Sequence, residues 1–141
     1  MSFFSHIQLN VTDLSVSTDF YLKVLSPLGF TAADGHESEY MRITNGTNLV
    51  IVLCPVDDRF RNIKYHRKAV GLGHLAISVP SKRVVDEMEL HLESCGIDLL
   101  GDGKTELGYR RGYYCLLFED PDRIMIEIVC HDTFYYSADP P

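Results

Sequence analysis

Three residues of this chain, His6, His74 and Glu127, have the types and spacing for metal chemistry. Each histidine opens a stretch in which polar and apolar residues alternate: His6-Ile7-Gln8-Leu9-Asn10-Val11 and His74-Leu75-Ala76-Ile77-Ser78-Val79. Glu127 lies within the apolar run Ile124-Met125-Ile126-Glu127-Ile128-Val129. Side chains alternate across a strand, so His6, Gln8 and Asn10 share one face and Ile7, Leu9 and Val11 the other. The same rule sets His74, Ala76 and Ser78 against Leu75, Ile77 and Val79, and Met125, Glu127 and Val129 against Ile124, Ile126 and Ile128. A carboxylate in so apolar a strand is expensive to bury unless a partner neutralises it, which a divalent cation would do. Two imidazoles and one carboxylate leave coordination positions open to water, substrate or oxygen. They suit Fe, Mn, Ni, Co or Zn without choosing among them. Taken singly, each residue has a plainer reading: a hydrogen-bonded histidine of core or surface, or a glutamate paired with arginine. The joint reading rests on the equivalence of the two histidines within a repeat.

That repeat sets the elements that must position them. The offset between the histidines, 74 minus 6, is 68 residues. Each histidine strand leads into a helical stretch, and each stretch ends at a glycine, Leu28-Gly29-Phe30 and Cys95-Gly96-Ile97, a common helix stop. Phe20, Tyr21, Val24, Leu25 and Leu28 have helical spacing in the first half, and Val84, Val85, Met88 and Leu92 in the second. All are expected in the core. One strand follows each glycine, near Phe30–Ala33 and Ile97–Leu100. A hairpin closes each half: Tyr40–Ile43 with Leu49–Leu53 around Asn45-Gly46-Thr47-Asn48, and Tyr113–Phe118 with Ile124–Cys130 around Asp120-Pro121-Asp122. The expectation is an α+β domain over residues 1–141 made of two βαβββ modules. Module one spans about residues 4–54, a connector with a short helix 55–70, module two about 71–131, and an aromatic tail 132–141.

Composition agrees. The chain has 141 residues, 45% of them hydrophobic, with eight Tyr and seven Phe, enough for a packed core. A net charge of −7 with no large Lys/Arg cluster argues against nucleic acid or an anionic membrane as partner. Lys64, Arg67 and Lys68 read as a solvated loop. No run approaches the length of a membrane helix, and Met1 to His6 lacks the features of a secretory signal. Cys54, Cys95, Cys115 and Cys130 are too scattered for a disulfide framework or a C-x-x-C pair. They read as buried free thiols in a reducing cytoplasm.

Over about residues 4–131 these segments resemble the vicinal-oxygen-chelate superfamily of glyoxalases, bleomycin-resistance proteins and extradiol dioxygenases. The resemblance rests on Ser5-His6-Ile7 and Gly73-His74-Leu75 at the module starts. It continues through Asp19-Phe20-Tyr21-Leu22-Lys23-Val24-Leu25-Ser26-Pro27-Leu28-Gly29-Phe30 and the closing segment Phe118 to Ile128. It implies two modules forming cupped mixed sheets around a shared cavity, with metal ligands from the first and last strands of each. Carried over, the ligands are His6, His74 and Glu127, and the fourth position falls at about Val52, which cannot bind metal. Two His and one Glu suit the fosfomycin-resistance and extradiol-dioxygenase patterns better than glyoxalase I. Fosfomycin thiol transferases have Thr where Gln8 stands, and Arg123 replaces the glycine usual in this turn.

The resemblance implies a divalent-metal-dependent enzyme of lyase, isomerase or dioxygenase type acting on a small oxygen-bearing substrate, and a homodimer. Gln8 and Asn10 would orient substrate or water. Tyr113 and Tyr109 are candidate acids or pocket walls, with packing at a pocket rim the plainer reading, and Arg110 and Arg111 could attract an anion, with a solvated loop the plainer reading. The competing expectation is a metal-free binder of the bleomycin-resistance type, with Phe134-Tyr135-Tyr136 contributing to a groove between subunits. His66 reads as a surface residue.

Overall fold

Asp13 and Ser81 start the two helices for the same physical reason. Each sits in extended backbone, and its side-chain oxygen accepts a backbone N–H three residues on: Val16 onto Asp13 at 3.0 Å, Val84 onto Ser81 at 3.4 Å. A donor that the helix cannot satisfy internally is thereby paired. Helix α1 spans Leu14–Val24 and buries Ser17, Tyr21 and Val24; α2 spans Lys82–Ser94 and buries Val85, Met88 and Leu92. Those spacings place one apolar stripe on each helix. Gly96 follows α2 at φ 72°, and Gly29 follows the 3-10 turn Ser26–Leu28 at φ 79°. Both are left-handed positions that favour glycine at a helix end.

The computed structural model describes residues 5–36, 38–47, 49–101, 105–106 and 112–131. Contacts divide the chain into two units, Met1–Ala69 with Asp120–Ile124, and Val70–Glu119 with Met125–Pro141. The first contains β1 (Ile7–Val11), α1, β2 (Thr31–His36), β3 (Tyr40–Thr44) and β4 (Val50–Pro55). Its sheet runs β1-β4-β3-β2, with β1 and β4 parallel and the other neighbours antiparallel. The second contains β5 (Leu75–Ser78), α2, β6 (Thr105–Glu106), β7 (Tyr114–Glu119) and β8 (Met125–Cys130). Its order, β5-β8-β7-β6, and its strand senses repeat those of the first. The fold is α+β, with the βαβββ order in each unit.

The registers are equivalent as well. Ile7 faces Ile51 and Gln8 faces Val52 in the first unit; Leu75 faces Ile126 and Ala76 faces Glu127 in the second. Val52 is therefore the counterpart of Glu127. Leu9, Val11, Ile43, Ile51 and Leu53 are buried in the first unit, and Ile77, Leu116, Phe118, Ile126 and Ile128 in the second.

Three details differ from expectation. The strand expected at Ile97–Leu100 is reduced to a single bridge from Leu99 to Phe118, and the second strand of that unit is the later pair Thr105–Glu106. Gly101, at φ 71°, turns the chain out of extended conformation between them. The four cysteines are free thiols, but only Cys115 is buried; the others are half-buried. Ile124 is buried, yet it lies before β8 and belongs with the turn. No helix among the described residues is long and apolar enough to cross a membrane.

Candidate functional site

In the second unit, the face turned away from α2 is set by the alternation of three strands. His74 immediately precedes β5, and Ala76 and Ser78 follow it on the same side. Glu127 on β8 faces Ala76 on one side and Leu117 of β7 on the other. Its strand neighbours Ile126, Ile128 and Val129 are all buried, and Glu127 itself is only 4% exposed. Two partners offset the desolvation of its carboxylate. His74 Nε2 lies 2.9 Å from Oε2, and the Tyr113 hydroxyl donates to Oε1. The His74 side chain is 45% exposed, so this pair has one wet member and one dry member.

A second layer supports the tyrosine. The Tyr113 ring stacks on His131, with centroids 6.3 Å apart and planes 13° apart. His131 Nε2 lies 3.5 Å from Ser78 Oγ. Beneath Glu127 sits the Cys115 thiol, pushed up to about 11 by burial and then by the adjacent Glu127 carboxylate. A thiol held that high stays protonated at neutral pH and is a poor nucleophile. The sequence reading gave no role to Cys115, His131 or Ser78. The signal was available, because alternation places Tyr113, Cys115 and Leu117 on the same face as Glu127, Val129 and His131.

His74, Glu127 and Tyr113 are thus brought together within one unit. His6 and Gln8 belong to the other. His6 is exposed just before β1, where Ser5 Oγ lies 3.1 Å from its Nδ1. Gln8 is half of a polar pair on the exposed face of β1, its Nε2 donating to Asn10 Oδ1 at 3.3 Å. Among the described residues no three His, Cys, Asp or Glu side chains form a ready-made metal cradle. The His74–Glu127 pair supplies two donors of the types that bind divalent ions, in ion-pair contact at 2.9 Å. His66 is exposed. Tyr109, Arg110, Arg111 and the tail Phe134-Tyr135-Tyr136 lie outside the described residues.

The first unit holds a second buried carboxylate, in the turn Asp120-Pro121-Asp122. Asp120 Oδ1 accepts the backbone N–H groups of Asp122 and Ile124 at 2.9 and 2.7 Å, and Oδ2 accepts the Tyr21 hydroxyl at 2.9 Å. Burial outweighs these bonds and raises the Asp120 carboxyl to about 6. Burial, with Asp120 next, likewise holds the Tyr21 phenol well above its ordinary range. The arrangement locks the turn to α1 and is structural.

Comparison with known proteins agrees with the topology. Residues 3–128 match the family described as Glyoxalase/Bleomycin resistance protein/Dioxygenase superfamily. The chain is 33% identical to the uncharacterized protein YqjT of Bacillus subtilis over 129 residues, 88% of this chain and 95% of that protein. A Bacillus halodurans protein provisionally assigned as a glyoxalase is 31% identical, with a TM-score of 0.77 over 89% of this chain and 92% of its own. The fosfomycin resistance protein FosX of Listeria monocytogenes, solved with Mn(II) and 1S,2S-dihydroxypropylphosphonic acid, has a TM-score of 0.70. It is 19% identical, over 94% of this chain and 95% of its own, and so shares the fold.

Proposed function

The chain belongs to the glyoxalase/bleomycin resistance protein/dioxygenase superfamily, and on that premise we propose that it is a divalent-metal-dependent enzyme. Its substrate is a small oxygen-bearing molecule, and the reaction is of lyase, isomerase or dioxygenase type. The observation that carries this reading is the buried Glu127 carboxylate, held between His74 Nε2 and the Tyr113 hydroxyl. His74 and Glu127 would hold the ion with His6, the repeat-equivalent histidine, as third ligand. Fe, Mn, Ni, Co or Zn suits this donor set. The bound ion supplies Lewis acidity that favours the anionic form of a chelating substrate. FosX, solved with Mn(II) and a dihydroxy compound, lends support by fold likeness.

The protein groups have separate tasks. Tyr113 orients Oε1 of Glu127 and leaves Oε2 on the His74 side. Its half-buried hydroxyl, which donates to Oε1 here, would pass that proton to a substrate oxygen only by exchanging this bond for one to the substrate. His131, stacked on its ring, limits its rotation. Gln8, with Asn10, offers an amide to orient substrate or water. The working form is a homodimer in the cytoplasm.

A second reading, a metal-free small-molecule binder of the bleomycin-resistance type, is favoured by one observation. Both Glu127 oxygens already have protein partners. Thermal unfolding after chelator stripping separates the two readings. On addition of Mn(II) or Zn(II) at about a hundred times its dissociation constant, the metal-dependent protein gains about 2.7 kcal/mol. Glu127→Gln and His74→Asn lose that gain. A wild-type protein indifferent to every one of the five metals overturns the proposal and leaves the binder.

A further inference from the structure

The segment after β4 folds against the end of β1 within the first unit. Asp57 caps the 3-10 turn Asp58–Phe60 by accepting the Arg59 N–H. The Arg61 guanidinium then spans two acceptors. Its Nε and Nη2 donate to Asp58 Oδ1 at 3.1 and 2.9 Å, and Nη1 donates to the Thr12 carbonyl at 2.9 Å. The Thr12 N–H is taken by Asp122 Oδ2 at 2.9 Å. These bonds frame a cavity of about 400 Å³ whose walls include Asn10, Phe60, Arg61, Ile63, Lys64 and Arg123. That volume lies within the range of small-molecule sites.

Three properties of the walls define an occupant. First, charge: Arg61, Lys64 and Arg123 meet two carboxylates, Asp58 on Arg61 and Asp122 in the wall. The lining itself carries three cationic side chains and one anionic one, in a chain whose net charge is −7. Second, apolar surface: Phe60 and Ile63 are 51% and 71% exposed, while Ile124 supplies a buried apolar floor. Arg59 covers the Phe60 ring at 5.4 Å, and an apolar ligand body would cover Ile63. Third, strain: Arg123 has φ 67°, the only left-handed non-glycine among the described residues. Its N–H donates to the Asp120 carbonyl at 2.9 Å, closing the turn. Glycine would meet that turn without strain, whereas a side chain there costs about 1 kcal/mol. The arginine brings a cation to the cavity that glycine would not.

We propose that this cavity binds a small organic acid: one carboxylate-type anion on a flat apolar body, with the anion between Lys64 and Arg123 and the body against Phe60 and Ile63. The site uses neither His74 nor Glu127, shares only Asn10 with the polar face of β1, and stands whether or not the chain holds a metal.

The test uses full-length protein in EDTA, titrated by calorimetry with benzoate, benzyl alcohol and benzylamine, which share a ring and differ in charge. Benzoate should bind saturably at one site per chain, about tenfold or more tighter than benzyl alcohol, with benzylamine weakest. Raising salt should weaken benzoate, because the walls are open to solvent. Lys64→Gln and Arg123→Gly should each weaken benzoate about fivefold to tenfold. Arg123→Gly removes backbone strain, so its urea midpoint should not fall below that of wild type, which excludes misfolding as the cause. Glu127→Gln should bind benzoate as wild type does. No saturable benzoate binding, equal affinity for benzyl alcohol, affinity unchanged in both cavity variants, or loss in Glu127→Gln overturns the proposal.

Discussion

Asp120→Asn should change the pH dependence of stability more than stability itself. The Asp120 carboxyl is 4% exposed and raised from 3.8 to about 6, chiefly by burial. The native state therefore holds a proton here more tightly than the unfolded chain does. Stability from this group is fully present below about pH 4 and is lost as pH rises through about 6. A rise of about two pK units corresponds to about 3 kcal/mol. Asparagine has the same shape. Its Oδ1 keeps the Asp122 and Ile124 N–H groups, and its amide can donate to the Tyr21 oxygen where the carboxylate accepted. Urea unfolding of both proteins at pH 4.5, 5.5, 6.5 and 7.5 reads the difference directly and cancels the titration of every other group. The variant should gain on wild type by about 2 kcal/mol across that range. Parallel stability profiles would refute the reasoning, since burial would then not be setting the Asp120 proton affinity.

Tyr21→Phe removes the donor to Asp120 Oδ2 and should cost about 1.5–3 kcal/mol at pH 7, shrinking towards pH 5 as Asp120 takes up its proton. Urea midpoints at the two pH values check it, and an equal cost at both would contradict it. Arg123→Gly should stabilise by up to about 1 kcal/mol in the same assay through relief of the left-handed backbone. A midpoint below that of wild type would show that the arginine side chain contributes more to the fold than its strain removes.

What the sequence made legible follows from periodicity. The 74-minus-6 offset of the two histidines, the alternation after each of them and the glycines at 29 and 96 were enough to place β1, β5 and both helices. Aligning the hairpin turns put Val52 opposite Glu127 in the repeat, and the strand registers place them so. The partners of Glu127 were harder to see. Tyr113 was a candidate acid or pocket wall, but its bond to Oε1 depends on antiparallel register across a fourteen-residue separation. Asp120 read as a turn former only. Its second role depends on Tyr21, 99 residues away, and no local pattern encodes that distance. The misplaced strand at 97–100 has the opposite cause, a local apolar signal interrupted by a glycine whose conformation only the fold reveals. Arg123 was visible as a departure from the usual glycine, but its place in a cationic cavity required the connector to be folded beside it.

The proposal that His6, His74 and Glu127 together hold one metal ion is tested most directly by equilibrium dialysis. Wild-type protein and the variants His6→Asn, His74→Asn and Glu127→Gln would be dialysed against each of the five metals and their bound metal measured. The account predicts close to one tight ion per wild-type chain with at least one of these metals, and loss of that ion in every variant. No tight ion in the wild type, or an ion retained by all three variants, would contradict it.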